Sequence, residues 1–206
     1  MTDAIEKTGF MEWCAVKRPL AGQNVSGDSC VVKRFGQTVL LGVIDGVGHG
    51  AEASHAARLA VEVLKQHGAE SVISLVHRCH EALAQTRGAV ITLACVDRSE
   101  ETVAWLGVGN VEARLYRANR EAVPAREEAL VRAGLVGFKL PSLHAGVVPV
   151  ARGDILVFAT DGLDAGFDSD VIVSNSPRQI ANALLTRRFK GIDDALALVA
   201  RYTAGP

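Results

Sequence analysis

The amino-acid sequence predicts a layered α+β domain. The first part of the chain is rich in short strand-like segments, two helical segments follow one another, and further strands and a late helix complete it. Grouping strands with strands and helices with helices is typical of α+β domains. The sequence lacks the regular strand–helix alternation of a doubly wound parallel sheet.

Apolar residues at helical spacing predict three helices. Two successive stripes comprise Ala53, Ala56, Ala57, Ala60, Val61 and Leu64, and then Val72, Leu75, Val76, Cys79 and Leu83. Both follow the i, i+3, i+4, i+7 pattern of an amphipathic helix, with a break at Gly68. A third helix is predicted over 177–189, because Ser176 is a good N-cap before a proline at the first helical position.

Segments rich in valine, isoleucine and leucine predict eight strands. These are 12–17, 29–35, 38–44, 90–96, 102–108, 112–116, 154–159 and 195–202. FGQT at 35–38 and DRSE at 97–100 are predicted hairpin turns. The proline- and glycine-containing stretch 122–149 is predicted to be a loop within the domain, so residues 1–206 are expected to form a single domain.

Composition excludes several classes of protein. Apolar residues make up 49% of the 206 residues, and 22 basic against 23 acidic side chains give a formal charge of −1, unlike a nucleic-acid binder. The N-terminus lacks the apolar core of a signal peptide, and no apolar stretch approaches the ~20 residues of a membrane span. The four scattered cysteines indicate buried thiols in a reducing compartment. A cytoplasmic protein that binds neither nucleic acid nor membrane is expected.

Two of the predicted strands end in an acid. The apolar run 39–44 leads into Asp45-Gly46, and the run 155–159 leads into Thr160-Asp161-Gly162. A continuous apolar run is typical of a strand covered on both faces. An aspartate at its end puts a carboxylate at the rim of the core, and the glycine lets the backbone approach a ligand closely.

Two further acidic positions share this setting. Asp28 precedes one apolar strand, and Asp193-Asp194 precede another. If these carboxylates converge, their repulsion requires a cation or shared protons, and oxygen ligands favour Mg²⁺ or Mn²⁺ over zinc. Two such ions ~4 Å apart can clamp a phosphate ester for hydrolysis. The alternative is that Asp-Gly only forms a turn, and periodicity leaves both interpretations open.

The glycine-rich stretch GVGHG at 46–50 has three possible roles. It lacks the lysine of a phosphate-binding loop and the full GxGxxG pattern, which disfavours a phosphate cradle. His49 could act as a general acid, since imidazole titrates near neutral pH, or it could cap the backbone where the helix begins. The two other glycines, Gly48 and Gly50, are expected to permit an unusual turn.

Two other polar groupings are predicted to be structural. His77, Cys79 and His80 cannot all face one ion from a single helix, which disfavours a zinc site. The segment GVGN at 107–110 is predicted to be a turn between strands.

Four motifs together resemble one family. GDS at 27–29, VIDGVGHG at 43–50, ATDGL at 159–163 and DDALALV at 193–199 occur in the order and approximate spacing of the PPM metal-dependent serine/threonine phosphatases. The resemblance spans about residues 9 to 203. It is greatest to the compact SpoIIE-like bacterial branch and, within it, to the RsbX group of stressosome phosphatases, which are similarly short and have no sensor domain.

The resemblance implies a four-layer αββα sandwich of two antiparallel sheets flanked by helices, with two Mn²⁺ or Mg²⁺ ions in a cleft at one end. It assigns metal binding to Asp28, Asp45, the Gly46 carbonyl, Asp161 and Asp193, with Asp194 as the alternative to Asp193. These aspartates would act in catalysis through the bound metals. The last motif departs from the usual DDxT or DNxT, because Leu196 stands where a threonine is expected.

The implied function is dephosphorylation of stressosome proteins that carry STAS domains, which resets stress signalling. The enzyme is expected to be a monomer. One alternative is a SpoIIE- or RsbU-type phosphatase that acts on an anti-anti-sigma factor. Another, of a different class, is a pseudophosphatase that binds a phosphoprotein without turnover; the retained acids argue against it and Leu196 argues for it.

Overall fold

The computed structural model describes residues 6–119 and 121–204. Its strands are β1 (Glu6–Thr8), β2 (Met11–Arg18), β3 (Asp28–Phe35), β4 (Thr38–Gly46), β5 (Ala89–Asp97), β6 (Thr102–Val108), β7 (Glu112–Tyr116), β8 (Arg126–Glu128), β9 (Val131–Arg132), β10 (Gly146–Pro149), β11 (Ile155–Ala159) and β12 (Ala195–Tyr202). Its helices are α1 (Ala51–His67), α2 (Val72–Ala82), a 3₁₀ turn (Phe167–Asp170) and α3 (Pro177–Arg188).

The strands form two sheets. The first has the order β1-β2-β12-β11-β7-β8, and the second has the order β10-β6-β5-β4-β3. Neighbouring strands along both paths are antiparallel, while the short β9 adds a parallel pairing to β6. Strands far apart in sequence therefore become neighbours, most clearly β2 and β12.

Three apolar clusters show how the sheets and helices are layered. Side chains such as Leu41, Phe158 and Leu198 pack between the two sheets. A second cluster packs α1 and α2 onto the outer face of the second sheet, and a third packs α3 onto the outer face of the first. Strands of opposite sheets thus bury both faces, which explains their continuous apolar sequences. The four-layer αββα sandwich implied by the resemblance is confirmed.

The sequence located the long elements and missed the short ones. All eight predicted strands are present within two residues of their predicted ends, and all three predicted helices are present. The stretch 122–149, predicted to be a loop, instead contains β8, β9 and β10. These strands are two to four residues long and largely exposed, so they carry little apolar periodicity. Residues 1–5, 120 and 205–206 of the expected single domain lie outside the described part.

The local turn and cap chemistry agrees with the predictions. Phe35 and Thr38 close the β3–β4 hairpin, and the Asp97 carboxylate accepts hydrogen bonds that shape the turn before β6. Ser176 forms a reciprocal capping box with Gln179 at the start of α3. In the part of the chain that the structure covers, no helix is long and apolar enough to cross a membrane.

The structure places two side chains of the His77–His80 grouping and corrects the prediction for two cysteines. Cys79 is buried against α1, and the His80 ring accepts a hydrogen bond from the Gly137 amide, so the two side chains have separate structural roles. Cys30 and Cys95 are only partly buried, so the prediction of buried thiols is wrong for these two.

Candidate metal centre

Asp28 and Asp45 lie side by side at one end of the second sheet. They are direct partners in the antiparallel pairing of β3 with β4. Side chains on a strand alternate between its two faces, so Asp45 lies on the same face of β4 as Val43 and Leu41, whose side chains pack between the sheets. Opposite residues of a strand pair share a face, so both carboxylates are directed into the space between the two sheets.

The Asp28 carboxylate is buried and half satisfied. It is 2% exposed, and its Oδ2 accepts a 2.9 Å hydrogen bond from the Thr160 hydroxyl, which reaches across from the other sheet. Its Oδ1 is buried with no hydrogen-bond partner among the described residues. Because a buried oxygen without a partner is costly, this atom fits the position of a cation ligand.

Asp161 follows β11 and lies at the same end of the first sheet. Its Oδ2 accepts a 2.8 Å hydrogen bond from the Asn110 amide group. Its backbone carbonyl accepts a 2.8 Å hydrogen bond from the Lys190 ammonium group. Thr160, Asn110 and Lys190 also line a cavity of about 160 Å³ beside this carboxylate. Both contacts limit the positions that the Asp161 carboxylate can take.

Asp193 and Asp194 have different roles, although they are adjacent. The Asp194 carboxylate is 3% exposed, and its two oxygens accept hydrogen bonds from the Leu20 amide at 2.7 Å and the Gly27 amide at 2.6 Å. Asp193 is only partly buried and accepts a hydrogen bond from the Asp194 amide through Oδ1. The Asp194 carboxylate therefore holds the loop before Asp28 through both of its oxygens.

The four acids influence one another electrostatically. Burial is the main cause that raises the pKa of Asp28 to about 7; the neighbouring acids add to it and the Thr160 hydrogen bond opposes it. Burial also raises the pKa of Asp45 to about 8, followed by the charge of Asp28. The pKa of Asp161 is raised by burial and then by Asp193. This arrangement favours protons or cations over free carboxylates.

The acids converge on one end without closing around one point. Within residues 6–119 and 121–204, no three histidine, cysteine, aspartate or glutamate side chains form a ready-made cage for an ion. The set of acids is instead spread over both sheets, and its donors are carboxylate oxygens. Mg²⁺ and Mn²⁺ suit such a set, because they take few carboxylates and retain several waters.

Two glycines permit the close packing around these acids. A Cβ on Gly46 would lie 2.1 Å from the Ala53 carbonyl oxygen of α1, and one on Gly162 would lie 1.9 Å from the Asp194 carbonyl oxygen. The Gly46 amide donates to the Gly27 carbonyl at 3.2 Å, which holds the segments of Asp45 and Asp28 together. Any side chain at either glycine would push these segments apart.

The loop after Gly46 leaves His49 exposed. Gly48 has φ +86° and Gly50 has φ +79°, so the backbone makes the unusual turn that the sequence predicted before α1. The His49 side chain is exposed at the start of α1 and is not buried as part of the core. Its role as a general acid stays a prediction.

Sequence reasoning missed three residues of this site. Asn110 was assigned only to a turn, and Thr160 and Lys190 were assigned no role. Thr160 carries a weak signal, because it is polar at the end of a wholly buried strand. Asn110 and Lys190 reach Asp161 from 51 and 29 residues away, so only the tertiary structure brings them together.

Comparison with known families identifies the class of protein to which this fold and its acid-lined end belong. The family model described as Stage II sporulation protein E (SpoIIE) matches residues 36–202, so the chain belongs to this family. Among characterised proteins, it is similar to phosphoserine phosphatase RsbX of Bacillus subtilis (strain 168). The two are 24% identical over 164 residues, which cover 79% of this chain and 80% of that protein.

Solved structures share the fold. A chain from the structure described as "The bacterial stressosome: a modular system that has been adapted to control secondary messenger signaling" has a TM-score of 0.85 and 27% identity, covering 93% of this chain and 99% of that one. RsbX in complex with magnesium gives 0.86 and 21%, covering 97% and 99%. The Mycobacterium tuberculosis serine/threonine phosphatase PstP/Ppp gives 0.72 and 15%, covering 94% and 99%.

Proposed function

We propose that this chain is a divalent-metal-dependent phosphatase that removes phosphate from phosphoserine or phosphothreonine in a stress-signalling protein. The observation that carries the proposal is the convergence of acids from four strand ends on one end of the sandwich, with Asp28 Oδ1 buried and unpartnered. Membership of the SpoIIE family and similarity to a phosphoserine phosphatase support it.

Four aspartates and one carbonyl are proposed to hold two ions, Mg²⁺ or Mn²⁺. They are Asp28, Asp45, Asp161, Asp193 and the Gly46 carbonyl. When bound, such ions supply an activated water and neutralise charge on the phosphoryl oxygens. Asp194 is not proposed as a ligand, because both of its oxygens already accept hydrogen bonds from backbone amides.

Other side chains orient these ligands. Thr160 holds Asp28 Oδ2 and leaves Oδ1 available, while Asn110 holds one oxygen of Asp161. Lys190 anchors the backbone of Asp161 through its carbonyl. His49, exposed beside the centre, is proposed to donate a proton to the leaving serine oxygen.

The proposed substrates are phosphorylated STAS-domain proteins of a stressosome, and the enzyme is proposed to act as a single-domain monomer. Similarity to RsbX and to a chain of a stressosome structure supports this choice. An anti-anti-sigma factor is the alternative substrate and would be dephosphorylated by the same chemistry. A panel of phosphorylated proteins of both kinds, followed by the loss of phosphate from each, distinguishes them.

The metal chemistry is tested with a small aryl phosphate. We expect hydrolysis with Mg²⁺ or Mn²⁺ that a chelator abolishes, and a loss of at least about 100-fold in Asp45→Asn and in Asp161→Asn. Glu62→Gln, on the exposed face of α1, is the matched control and should keep full activity. Metal-independent hydrolysis, or full activity in either aspartate variant, would contradict the site assignment. No hydrolysis at all would favour the phosphoprotein-binding pseudophosphatase.

A further inference from the structure

Lys190 carries a positive charge beside the candidate metal centre and has only a neutral partner there. The side chain is exposed, and its Nζ donates a 2.8 Å hydrogen bond to the Asp161 carbonyl. A carbonyl uses one of the three N–H groups of an ammonium group and cancels none of its charge. Within residues 6–119 and 121–204, no carboxylate forms an ion pair with Lys190. Its charge and its other N–H groups therefore remain available to an anion.

The position of Lys190 is fixed at both ends of the residue. Its backbone amide donates to the Gly162 carbonyl at 3.0 Å, and the preceding residue, Phe189, forms a β-bridge with Leu163. The backbone and the ammonium group are thus both bound to the segment that begins at Asp161. Because little further ordering of the lysine is needed, a ligand that binds to it loses less free energy to conformational entropy.

The cavity of about 160 Å³ beside Asp161 gives an anion a route to Lys190. Asp161 is exposed, and Asn110 and Lys190 both line the cavity. The Asn110 side chain uses one N–H for Asp161 Oδ2, and an amide group has a second one. Glu112 also lines the cavity, but its carboxylate is paired with Arg114 at 2.5 Å. A small anion can therefore approach the ammonium group from solvent.

The Lys190 charge also acts on the Asp161 carboxylate. Burial raises the pKa of Asp161, Asp193 adds to this effect, and the Lys190 charge opposes both. On the proposed function, which this inference requires, Asp161 holds a cation on which the phosphoryl group is bound. An ammonium group so near would repel that cation unless an anion binds there too. The phosphoryl group is the anion that the reaction brings to this place.

Two other basic side chains near the centre differ from Lys190. Arg87, next to Gly48, is ion-paired with Glu52. Lys17 donates to the Asp28 carbonyl at 3.2 Å, but it does not line the cavity beside Asp161. Lys190 combines an uncompensated charge, a fixed backbone and an open cavity.

We propose that Lys190 is a substrate-binding residue whose ammonium group donates a hydrogen bond to a phosphoryl oxygen of the bound phosphoserine. The same contact holds the inorganic phosphate product before its release. The hydrogen bond to the Asp161 carbonyl is kept and aims the ammonium group, while a second N–H reaches the phosphoryl oxygen.

The test measures binding as well as turnover. Titration calorimetry gives the Kd of inorganic phosphate for the Mg²⁺-loaded chain and the Kd of Mg²⁺ in the absence of phosphate. Steady-state kinetics use a small aryl phosphate and two phosphoserine peptides of equal length, one with aspartate and one with alanine beside the phosphoserine. The variants are Lys190→Met and Lys190→Arg. Lys65→Met, in the last turn of α1, is the matched control that removes the same charge away from the centre.

We expect Lys190→Met to raise the Kd of inorganic phosphate and the KM of the aryl phosphate by about tenfold, since a charge-assisted hydrogen bond is lost. Its kcat/KM should fall equally on the two peptides. Mg²⁺ should bind as tightly as to the native chain, or more tightly because a repelling charge is gone. Lys190→Arg should restore most of the phosphate affinity, and Lys65→Met should match the native chain.

Two outcomes would overturn the proposal. Weaker Mg²⁺ binding with an unchanged Kd for phosphate would mean that Lys190 only positions Asp161. A loss confined to the aspartate-flanked peptide would mean that it binds a flanking carboxylate. Failure of the native chain to hydrolyse the aryl phosphate would instead contradict the proposed function, and the phosphate titration, which requires no turnover, would still test Lys190.

Discussion

At the scale of single residues, Asp28 and Asp45 combine burial with mutual repulsion. Burial and neighbouring charges raise the pKa of Asp28 to about 7 and that of Asp45 to about 8, from an ordinary value of 3.8. Between the ordinary pKa of 3.8 and these raised values, the folded chain binds more protons than the unfolded chain. The stabilisation from this protonation is therefore complete below about pH 4 and is lost as the pH rises through 7 and 8.

The first prediction concerns the pH dependence of stability without divalent ions. In chelator, the melting temperature should fall between pH 5 and pH 8.5. Asp45→Asn removes one of the repelling charges, so at pH 8.5 it should be more stable than the native chain by roughly 1–3 kcal/mol. At pH 5 the two should be nearly equal.

Thermal unfolding, monitored by circular dichroism, measures the pH dependence of the melting temperature and the effect of Asp45→Asn on it. Glu62→Gln is the control and should keep the native pH dependence. Mg²⁺ should restore the stability of the native chain at pH 8.5, because ligand carboxylates must lose their protons to bind it. It should not stabilise Asp45→Asn to the same extent. A native melting temperature that is constant or rises from pH 5 to 8.5 in chelator would show that these carboxylates are not protonated as described.

At the scale of elements, the contact between the end of β4 and the start of α1 places Asp45. Gly46 packs against the Ala53 carbonyl so closely that a Cβ would lie 2.1 Å from that oxygen. The first turn of α1 therefore sets the position of Gly46 and, through it, of Asp45. The hairpin turn at the opposite end of β4 has no such contact, since Gly36 has open space around it.

The second prediction uses this difference. Gly46→Ala should destabilise the chain by about 1–3 kcal/mol through overpacking and should also weaken Mg²⁺ binding, because α1 must move away from the ligand-bearing strand. Gly36→Ala should cost about 1–2 kcal/mol from its φ of +60° alone and leave Mg²⁺ binding unchanged. Chemical denaturation and titration calorimetry measure the two quantities. Equal effects of the two substitutions on Mg²⁺ affinity would contradict the proposed role of Gly46.

At the scale of the whole molecule, the site exists only where the two sheets meet. The proposed ligands of the second sheet, Asp28 and Asp45, are separated in sequence from Asp161 and Asp193 by more than a hundred residues. Two side chains of the first sheet reach across to join them: Thr160 bonds Asp28, and Asp194 bonds the amide of Gly27. The inter-sheet core, which includes Phe158 and Leu196, sets the distance that these bonds span.

The third prediction separates the two adjacent aspartates of the last motif. Asp193→Asn should abolish most of the Mg²⁺-dependent activity and leave the stability of the metal-free chain little changed. Asp194→Asn should lower the stability by about 1–3 kcal/mol. One of the two backbone N–H groups that donate to the native carboxylate would then face the side-chain NH₂ group and lose its acceptor. It should retain measurable Mg²⁺-dependent activity. The reverse pattern would make Asp194 the ligand and Asp193 the support.

The departure at Leu196 has a structural explanation. Its side chain is fully buried in the inter-sheet core, and its amide donates to the Thr160 hydroxyl at 2.8 Å. A hydroxyl is thus supplied to this part of the site by Thr160, directly after β11, even though the last motif has none. The substitution leaves the acids in place and gives no support to loss of metal binding.

The local elements of this fold follow from the sequence by itself. Helical and strand periodicity, the capping box at Ser176 and the acids at strand ends depend on residues close in the chain, and local physics is sufficient to predict them. Resemblance in four motifs then indicated the family and the αββα layering. The short edge strands β8, β9 and β10 escaped prediction because few of their side chains are buried.

Only the tertiary structure decided that Asp194, of the two adjacent acids, is committed to the backbone amides of Leu20 and Gly27. It also brought Asn110 and Lys190 to Asp161. These results depend on contacts between segments far apart in the chain, whose geometry is set by how the two sheets pack. No local pattern records such contacts, so the same Asp-Gly pair is a simple turn or a metal ligand according to what the opposite sheet places beside it.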